Sequence, residues 1–420
     1  MVKPWHAVTT VAAISLFLTL LETPRDTWLT TASLSLVCGV AALSLMATAA
    51  LLSGRWRWVE SLLGGLDRVY DAHKWLAVAA LCLASVHLLF KAGTPGWDAA
   101  AIFPLSPDWT RLVRQASFVG LMFIVLLALN RNIPYRSWRW WHRLSGPLFL
   151  VAVLHWLSIK SPIAIVSPVG LWLAGLTILG LAAAIYKLLL YPILARHADY
   201  RVVSVHRGPA AVEIELEPVG RGIAFLPGHF GFLSMKADRL REPHPFTIAA
   251  APTPGGRISF VIRALGDFTR MLVDNVEVGM HADVYAPYGR FLRADRASRE
   301  IWVAGGVGIS PFIAWLLDPK ADGLDRVSLF YFYTPGRVFP DIERLQALAA
   351  ERGVEFVAIA TGPGAPSFTD RFSQIVGECD AGALDIAVCG PKGLLDQVRK
   401  LAISHGLPPA QVRHEVFAFR

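Results

Sequence analysis

Hydrophobic positions along the chain fall into two regimes. From His6 to about Leu194 the apolar residues come in long runs, and six of these have the roughly 17–25 residues that a bilayer core requires. They lie near residues 5–21, 30–53, 73–90, 115–130, 142–159 and 168–192, and each predicts a membrane-spanning helix. The first run ends at Glu22-Thr23-Pro24-Arg25 with no small-residue cleavage site, so it reads as a retained helix and not a signal peptide. From Asp199 the pattern shortens. Alternation in Tyr200-Arg-Val-Val-Ser-Val and in Val212-Glu-Ile-Glu-Leu-Glu, with Gly/Pro turns up to about Asp295, predicts a small antiparallel barrel. From Glu300 onward, apolar strands at Ile301–Ala304, Val327–Tyr333, Phe356–Ala360 and Ile386–Cys389 alternate with helical stretches, the pattern of a parallel, doubly wound sheet. The expected organisation is multidomain: a six-helix transmembrane bundle over 1–197, an antiparallel barrel over 198–297 and an α/β domain over 298–420. No internal repeat or low-complexity linker interrupts it.

Charge sharpens this division. Of the 420 residues, 54% are hydrophobic and the net charge is +8. Residues 1–198 hold 16 Lys/Arg and 7 Asp/Glu (+9), whereas 199–420 hold 24 and 25 (−1). The water-facing half is therefore neutral, which excludes a nucleic-acid surface. The basic residues sit in loops. Arg55, Arg57 and Arg68 fall between the second and third runs; Arg131, Arg136 and Arg139 fall between the fourth and fifth, in a stretch from Trp109 to Ala198 that contains no acid. If six helices alternate, one side carries 11 basic residues and the other 5, and the richer side also carries the N-terminus and the whole polar half. The positive-inside rule makes that side cytoplasmic. Trp56, Trp58, Trp138, Trp140 and Trp141 cluster at span ends, as interfacial anchors do. Cys38, Cys82, Cys379 and Cys389 form no C-x-x-C pair, which argues against a zinc or iron–sulfur centre and against a disulfide framework.

Four of the 12 histidines lie in just two of the apolar runs. His73 and His87 are 14 residues apart on the third; His142 and His155 are 13 apart on the fifth. At about 1.5 Å per residue each pair spans about 20 Å along its helix. Joining the helices gives two layers, His73 with His142 and His87 with His155, and each layer offers two axial imidazoles to one haem iron. Isolated polar residues bonding a neighbouring helix would not need matched spacing, and ionisable groups inside a membrane are costly and functional. The phase raises a requirement. Fourteen residues leave the first pair about 40° apart, but thirteen leave the second about 140° apart. Pro147, lying between them, is the expected site of a correcting kink. Phe149 nearby reads as plain packing.

Paired histidines with these spacings, followed by the motifs below, resemble the NADPH oxidase and ferric reductase superfamily over nearly the whole chain. His244-Pro245-Phe246-Thr247-Ile248 matches that family's flavin signature, after a Leu226-Pro227-Gly228-His229-Phe230 turn. Arg263 then precedes Gly266-Asp267-Phe268-Thr269, an arginine and backbone amides suited to a pyrophosphate. The resemblance implies FAD on a barrel, so that the soluble half is a ferredoxin-reductase-like module. Gly305-Gly306-Val307-Gly308-Ile309-Ser310-Pro311 follows a strand and opens a helix, where phosphates are favoured. It is similar to the G-G-x-G-[IV]-[ST]-P of such reductases, with Ser310 expected near the nicotinamide. Cys389-Gly390-Pro391 resembles the family motif beside the hydride-transfer site. Glu415-Val416-Phe417 resembles the segment whose aromatic ring covers the flavin, with Phe419 as a rival for that role. After the second α/β strand no acid awaits a ribose hydroxyl, and Arg337 suits a 2′-phosphate, so NADPH is expected ahead of NADH.

The resemblance implies a direction. NADPH reduces FAD on the cytoplasmic side of a bacterial inner membrane; electrons pass to the inner layer (His73/His142), then to the outer (His87/His155), and leave on the far face. Dioxygen is the expected acceptor, giving superoxide, and a ferric or cupric complex the alternative. A haem-binding electron-carrier subunit would keep the histidines but not need the His244–Thr247 and Gly305–Pro311 motifs, and in a transporter with an attached reductase the histidines on a substrate path would not need paired spacing. No EF-hand pattern suggests calcium control, and no obligatory protein partner is expected.

Overall fold

The computed structural model describes residues 3–95, 97–294, 298–360, 366–379 and 381–415. The chain forms two compact units that divide between Ala195 and Arg196.

The first unit is helical: α1 (Pro4–Glu22), α2 (Thr31–Leu52), α3 (Arg57–Leu63), α4 (Leu66–Leu89), α5 (Pro107–Leu129), α6 (Tyr135–His142), α7 (Ser145–Ser158) and α8 (Pro168–Ile185), which runs through a π-helical turn into α9 (Tyr191–Leu194). Local chemistry sets the starts. The Thr30 hydroxyl accepts from Ser33 N at 3.2 Å to cap α2, and the Ser167 hydroxyl accepts from Gly170 N at 3.2 Å to cap α8. Helix α2 is the centre of the bundle. Its small residues let neighbours approach closely, and Leu45 and Ala47 are fully buried. A Cβ on Gly180 of α8 would come 2.9 Å from Ala47 O and 2.9 Å from the Phe149 ring, so Phe149 belongs to the core where α2, α7 and α8 meet.

Helices α4 and α5 begin seven and eight residues before the apolar runs that predicted them, and α3 occupies part of the expected 54–72 loop. Of the predicted span 142–159 only His142 lies in α6; the helix that fills the span is α7, which has 14 residues, about 21 Å of rise. Among the described residues, five helices are long and apolar enough to cross a bilayer. The break has a local cause. Pro147 has no N–H for the Arg143 carbonyl, and its ring crowds that carbonyl, so the helix stops at His142 and restarts at Ser145.

The second unit begins with a six-stranded antiparallel sheet: β1 (His197–Arg207), β2 (Ala211–Pro218), β3 (Phe230–Met235), β4 (His244–Thr247), β5 (Ile258–Arg263) and β6 (His281–Tyr288), in the order β4-β3-β6-β1-β2-β5. A bridge between Ile248 and Phe260 joins the two ends of that order, nearly closing a barrel around Tyr200, Val202, Ile214, Leu233, Phe260 and Val284. Helix α10 (Asp267–Asn275) caps it with buried Leu272.

A five-stranded parallel sheet follows: β7 (Arg299–Gly305), β8 (Val327–Phe332), β9 (Glu355–Ile359), β10 (Leu384–Cys389) and β11 (Val412–Glu415), in the order β11-β10-β7-β8-β9. Helices α11 (Ser310–Leu317), α12 (Ile342–Glu351), α13 (Pro366–Gly377) and α14 (Lys392–Ser404) connect the strands. Because both faces are covered, β8 is buried at every residue. One buried ion pair stands beside this sheet. Arg293 Nη2 meets Glu300 Oε1 at 2.7 Å, and Trp302 Nε1 donates to Glu300 Oε2 at 2.9 Å. Strand β11 is an element the alternation pattern did not announce, since it is four residues long.

Candidate functional site

In the helical unit the four histidines stand in two pairs. The His73 and His142 ring centres are 6.1 Å apart, and those of His87 and His155 are 6.3 Å apart. Two imidazoles on opposite sides of one metal need about this separation: two bonds of about 2.0–2.1 Å plus about 1.1 Å from each nitrogen to its ring centre. Hydrogen bonds from α2 set the tautomer of the α4 pair. His73 Nδ1 lies 2.8 Å from Ala49 O, and His87 Nδ1 lies 2.8 Å from Ser35 O. Carbonyls only accept, so each Nδ1 carries the proton and leaves the Nε2 lone pair for a ligand bond. On the facing helices, His142 Nδ1 and His155 Nδ1 are buried with no hydrogen-bond partner among the described residues, so the polar cost there is offset only if the ring does other work. The interruption at Arg143–Leu144 resolves the 13-residue phase problem, because His142 ends α6 and His155 belongs to α7. Trp138 stacks on His142 at 5.1 Å and 20°. This donor set, neutral imidazoles in matched pairs inside an apolar bundle, fits two haems.

In the second unit the flavin-motif residues converge. His244, Pro245, Phe246 and Thr247 are β4, paired with β3, and His244 stacks on Phe268 at 3.7 Å. The turn before β3 requires glycine: Gly228 has φ +96°, and a Cβ there would collide with Phe291 O. Arg263 ends β5, half-buried, and a Cβ on Gly306 would lie 3.7 Å from Arg263 Nη1, so the glycine-rich turn comes beside this arginine. Gly266 and Thr269 open α10, but the amides of Leu265 and Gly266 are not free as expected. The Thr269 hydroxyl accepts from them at 2.9 and 3.0 Å.

The nucleotide motif folds against the C-G-P turn. A Cβ on Gly308 would collide with the Cys389 carbonyl, and one on Gly390 would lie 3.1 Å from Gly305 Cα. Ser310 is buried and its hydroxyl donates to Val307 O at 2.8 Å, so it braces the turn, while Pro311 begins α11. Arg337 is exposed in the turn after β8. Cys389 is fully buried at the end of β10, level with Glu415 of β11, and burial, then the Glu415 charge, pushes its thiol well above the ordinary range. Thr247 Oγ1 donates to Glu415 Oε2 at 3.2 Å. Thr247, Cys389 and Glu415 thus form one cluster between the barrel and the parallel sheet. The sequence pattern singled out Thr247 and Cys389 but quoted Glu415 only as the start of a terminal segment; its place one strand from Cys389 depends on β11. Phe417 and Phe419 lie outside the described residues. The glycine cradle and Arg263 fit a dinucleotide and a pyrophosphate, and the Thr247 cluster fits a flavin edge meeting a nicotinamide.

Comparisons with known proteins agree with this division. Residues 38–153 match the family described as ferric reductase like transmembrane component, and residues 208–298 match an FAD-binding domain family. The alkene monooxygenase system ferredoxin–NAD(+) reductase component of Xanthobacter autotrophicus is 30% identical over 235 residues, 53% of this chain and 70% of that protein. The propane 2-monooxygenase reductase component of Rhodococcus jostii is 27% identical over 49% of this chain, and the alignment covers 59% of its length. The ferric/cupric reductase transmembrane component 7 of Saccharomyces cerevisiae is 22% identical over 67% of this chain and 46% of its own length. Among solved structures, a flavohaemoglobin from Malassezia yamatoensis with bound FAD and haem aligns over 96% of this chain and 99% of its own, at TM-score 0.50 and 16% identity, a likeness of fold.

Proposed function

The chain belongs to the NADPH oxidase and ferric reductase superfamily, and on that footing we propose that it carries electrons from NADPH, through FAD and two b-type haems, across a membrane to dioxygen, giving superoxide. It is a multi-pass membrane oxidoreductase with an FAD-binding domain and a reductase fold. The observation that carries the finer proposal is the pair of imidazole couples at 6.1 and 6.3 Å.

When bound, the flavin accepts a hydride and gives up electrons singly, and haem iron cycles by one electron; the chain's task is to hold and tune them. Gly305, Gly306 and Gly308, Cys389-Gly390-Pro391 and Arg337 would bind NADPH, with Arg337 meeting the 2′-phosphate. Thr247, Phe246, Pro245 and His244 would line the flavin, and Arg263 would face its pyrophosphate, with Gly266 and Thr269 bracing the turn that follows it. The Thr247–Glu415 bond fixes the hydroxyl beside the hydride-transfer edge, and buried Cys389 excludes water there. His73 and His142 would hold the inner haem, and His87 and His155 the outer. This order follows from connectivity within the helical unit: Ala49, which holds His73, lies near the end of α2, and Arg55 beyond it bonds Tyr191 at 3.3 Å, four residues before the unit ends. The chain thus leaves the bundle at the His73/His142 end. The basic residues on that side make it cytoplasmic in a bacterial inner membrane.

A ferric or cupric complex is the second acceptor, favoured by the likeness to the yeast reductase. Purified protein given NADPH and cytochrome c separates the two. Reduction of cytochrome c that superoxide dismutase suppresses is the expected result. Dismutase-insensitive reduction, with direct reduction of a ferric chelate, would refute superoxide as the product.

A further inference from the structure

Helix α2 presents two carbonyls to α4 in one antiparallel register. Ala49 O meets His73 Nδ1 and Ser35 O meets His87 Nδ1, both at 2.8 Å. Ala49 and Ser35 are as far apart in sequence as His73 and His87, so one helix pairing serves both layers. The layers differ in what else touches the ring. At His73 the bond is to backbone alone, and the side chain of Ala49 offers no acceptor. At His87 the Ser35 hydroxyl adds a second contact. Its oxygen lies 3.1 Å from His87 Nδ1, 3.0 Å from His87 O and 2.8 Å from Phe90 O. Ser35 is fully buried, so no water competes.

The directions of these bonds follow from donor chemistry. Two of the three partners of the hydroxyl are carbonyls, which only accept, so its proton goes to one of them. Its lone pairs then face the Nδ1–H, which is shared between Ser35 O and Ser35 Oγ. One turn along α2, Gly39 completes the seat. A Cβ there would come 2.8 Å from His87 Nδ1 and 2.9 Å from its Cε1, so only a glycine lets the ring lie against the helix.

We infer that Ser35 and Gly39 form a socket on α2 that positions His87 and polarises it, setting the outer haem apart from the inner one. The inference rests on the haem assignment proposed above. Acceptors on Nδ1–H make an imidazole a stronger donor through Nε2, which favours ferric over ferrous iron. The outer haem, with two acceptors on His87, is held at a lower potential, and so is harder to reduce, than the backbone contact alone would make it, and Ser35 acts as a positioning residue for this ligand.

The test is a redox titration of both haems in purified full-length protein without turnover, with low-temperature electron paramagnetic resonance of the ferric state. Ser35→Ala should raise the outer-haem potential and leave the inner one in place. The expected size is about a three- to tenfold change in the ferric/ferrous ratio, where tenfold is 59 mV for one electron. Ser35→Cys, a weaker acceptor of similar shape, should fall between. Gly39→Ala should displace the ring and remove the outer haem's six-coordinate low-spin signal while the inner signal persists. Two low-spin signals in the parent protein, with unchanged outer potential in Ser35→Ala and an intact outer signal in Gly39→Ala, would overturn the socket alone. Equal shifts in both haems would overturn it too, as general loosening of the bundle. Absence of both signals from haem-reconstituted parent protein would overturn the haem assignment and the socket with it.

Discussion

Replacing Gly390 with alanine probes the seam where the two nucleotide turns meet. The new Cβ would stand 3.1 Å from Gly305 Cα, 3.1 Å from Gly305 N and 3.1 Å from Leu394 Cδ2. Carbon–carbon contacts are most favourable at about 3.5–4.0 Å, so each is about 0.5 Å too close. Leu394 can turn aside, but the Gly305 backbone ends β7 and is held in register against Phe332 of β8. The turns must part by several tenths of an ångström. Overpacking of this kind costs about 1–3 kcal/mol. If both turns hold NADPH, that cost falls on binding, and KM should rise roughly 5- to 150-fold at about 1.4 kcal/mol per factor of ten. The assay is steady-state NADPH oxidation with an artificial acceptor, alongside flavin content and chemical reduction of the haems, both of which should be unchanged. A KM within twofold of the parent, with the flavin loaded, would refute the placement of NADPH across this seam.

Four further outcomes are expected. His87→Leu should halve the haem content and leave the inner haem's spectrum; retention of both b-type signals would break the two-layer arrangement. Arg337→Ala should raise KM for NADPH by roughly 10- to 100-fold, the loss of a charge-assisted bond, with little change for NADH, so equal effects would sink the 2′-phosphate role. Glu300→Ala strands buried Arg293 and should destabilise the reductase unit by about 3–5 kcal/mol, read as a lower thermal midpoint of flavin release; an unchanged midpoint would contradict the pair's burial. Because Cys389 is held above the ordinary thiol value of 9.0, the folded state keeps a proton that the unfolded state loses above that pH. Its contribution is therefore complete below pH 9 and declines as pH rises further. Cys389→Ala should flatten the alkaline stability loss, and an identical alkaline slope in both proteins would rule this out.

Long apolar runs, the paired histidines and the glycine motifs were legible from composition and order alone, because burial in lipid and close approach to phosphate each demand particular residue types at short range. The same local rules give the alternation of the barrel strands and an expected transition at 197–198, whereas the structure divides at Ala195–Arg196. Tertiary structure decided the rest. Whether His142 and His155 shared one helix turned on the carbonyl that Pro147 leaves unbonded, and only the break brings both to face α4. The partners of His73 and His87 are backbone carbonyls of α2, which no side-chain pattern announces. Thr269 reads as an anion-binding residue in sequence, yet its hydroxyl is taken up by its own turn. Glu415 joins Thr247 across 168 positions because β11 lies beside β10, a pairing set by sheet order and by nothing in the residues near either one. Local sequence thus determined which chemistry the chain carries. Which atoms meet was decided by contacts between helices and strands distant in sequence, where the energy depends on register and burial and not on residue type.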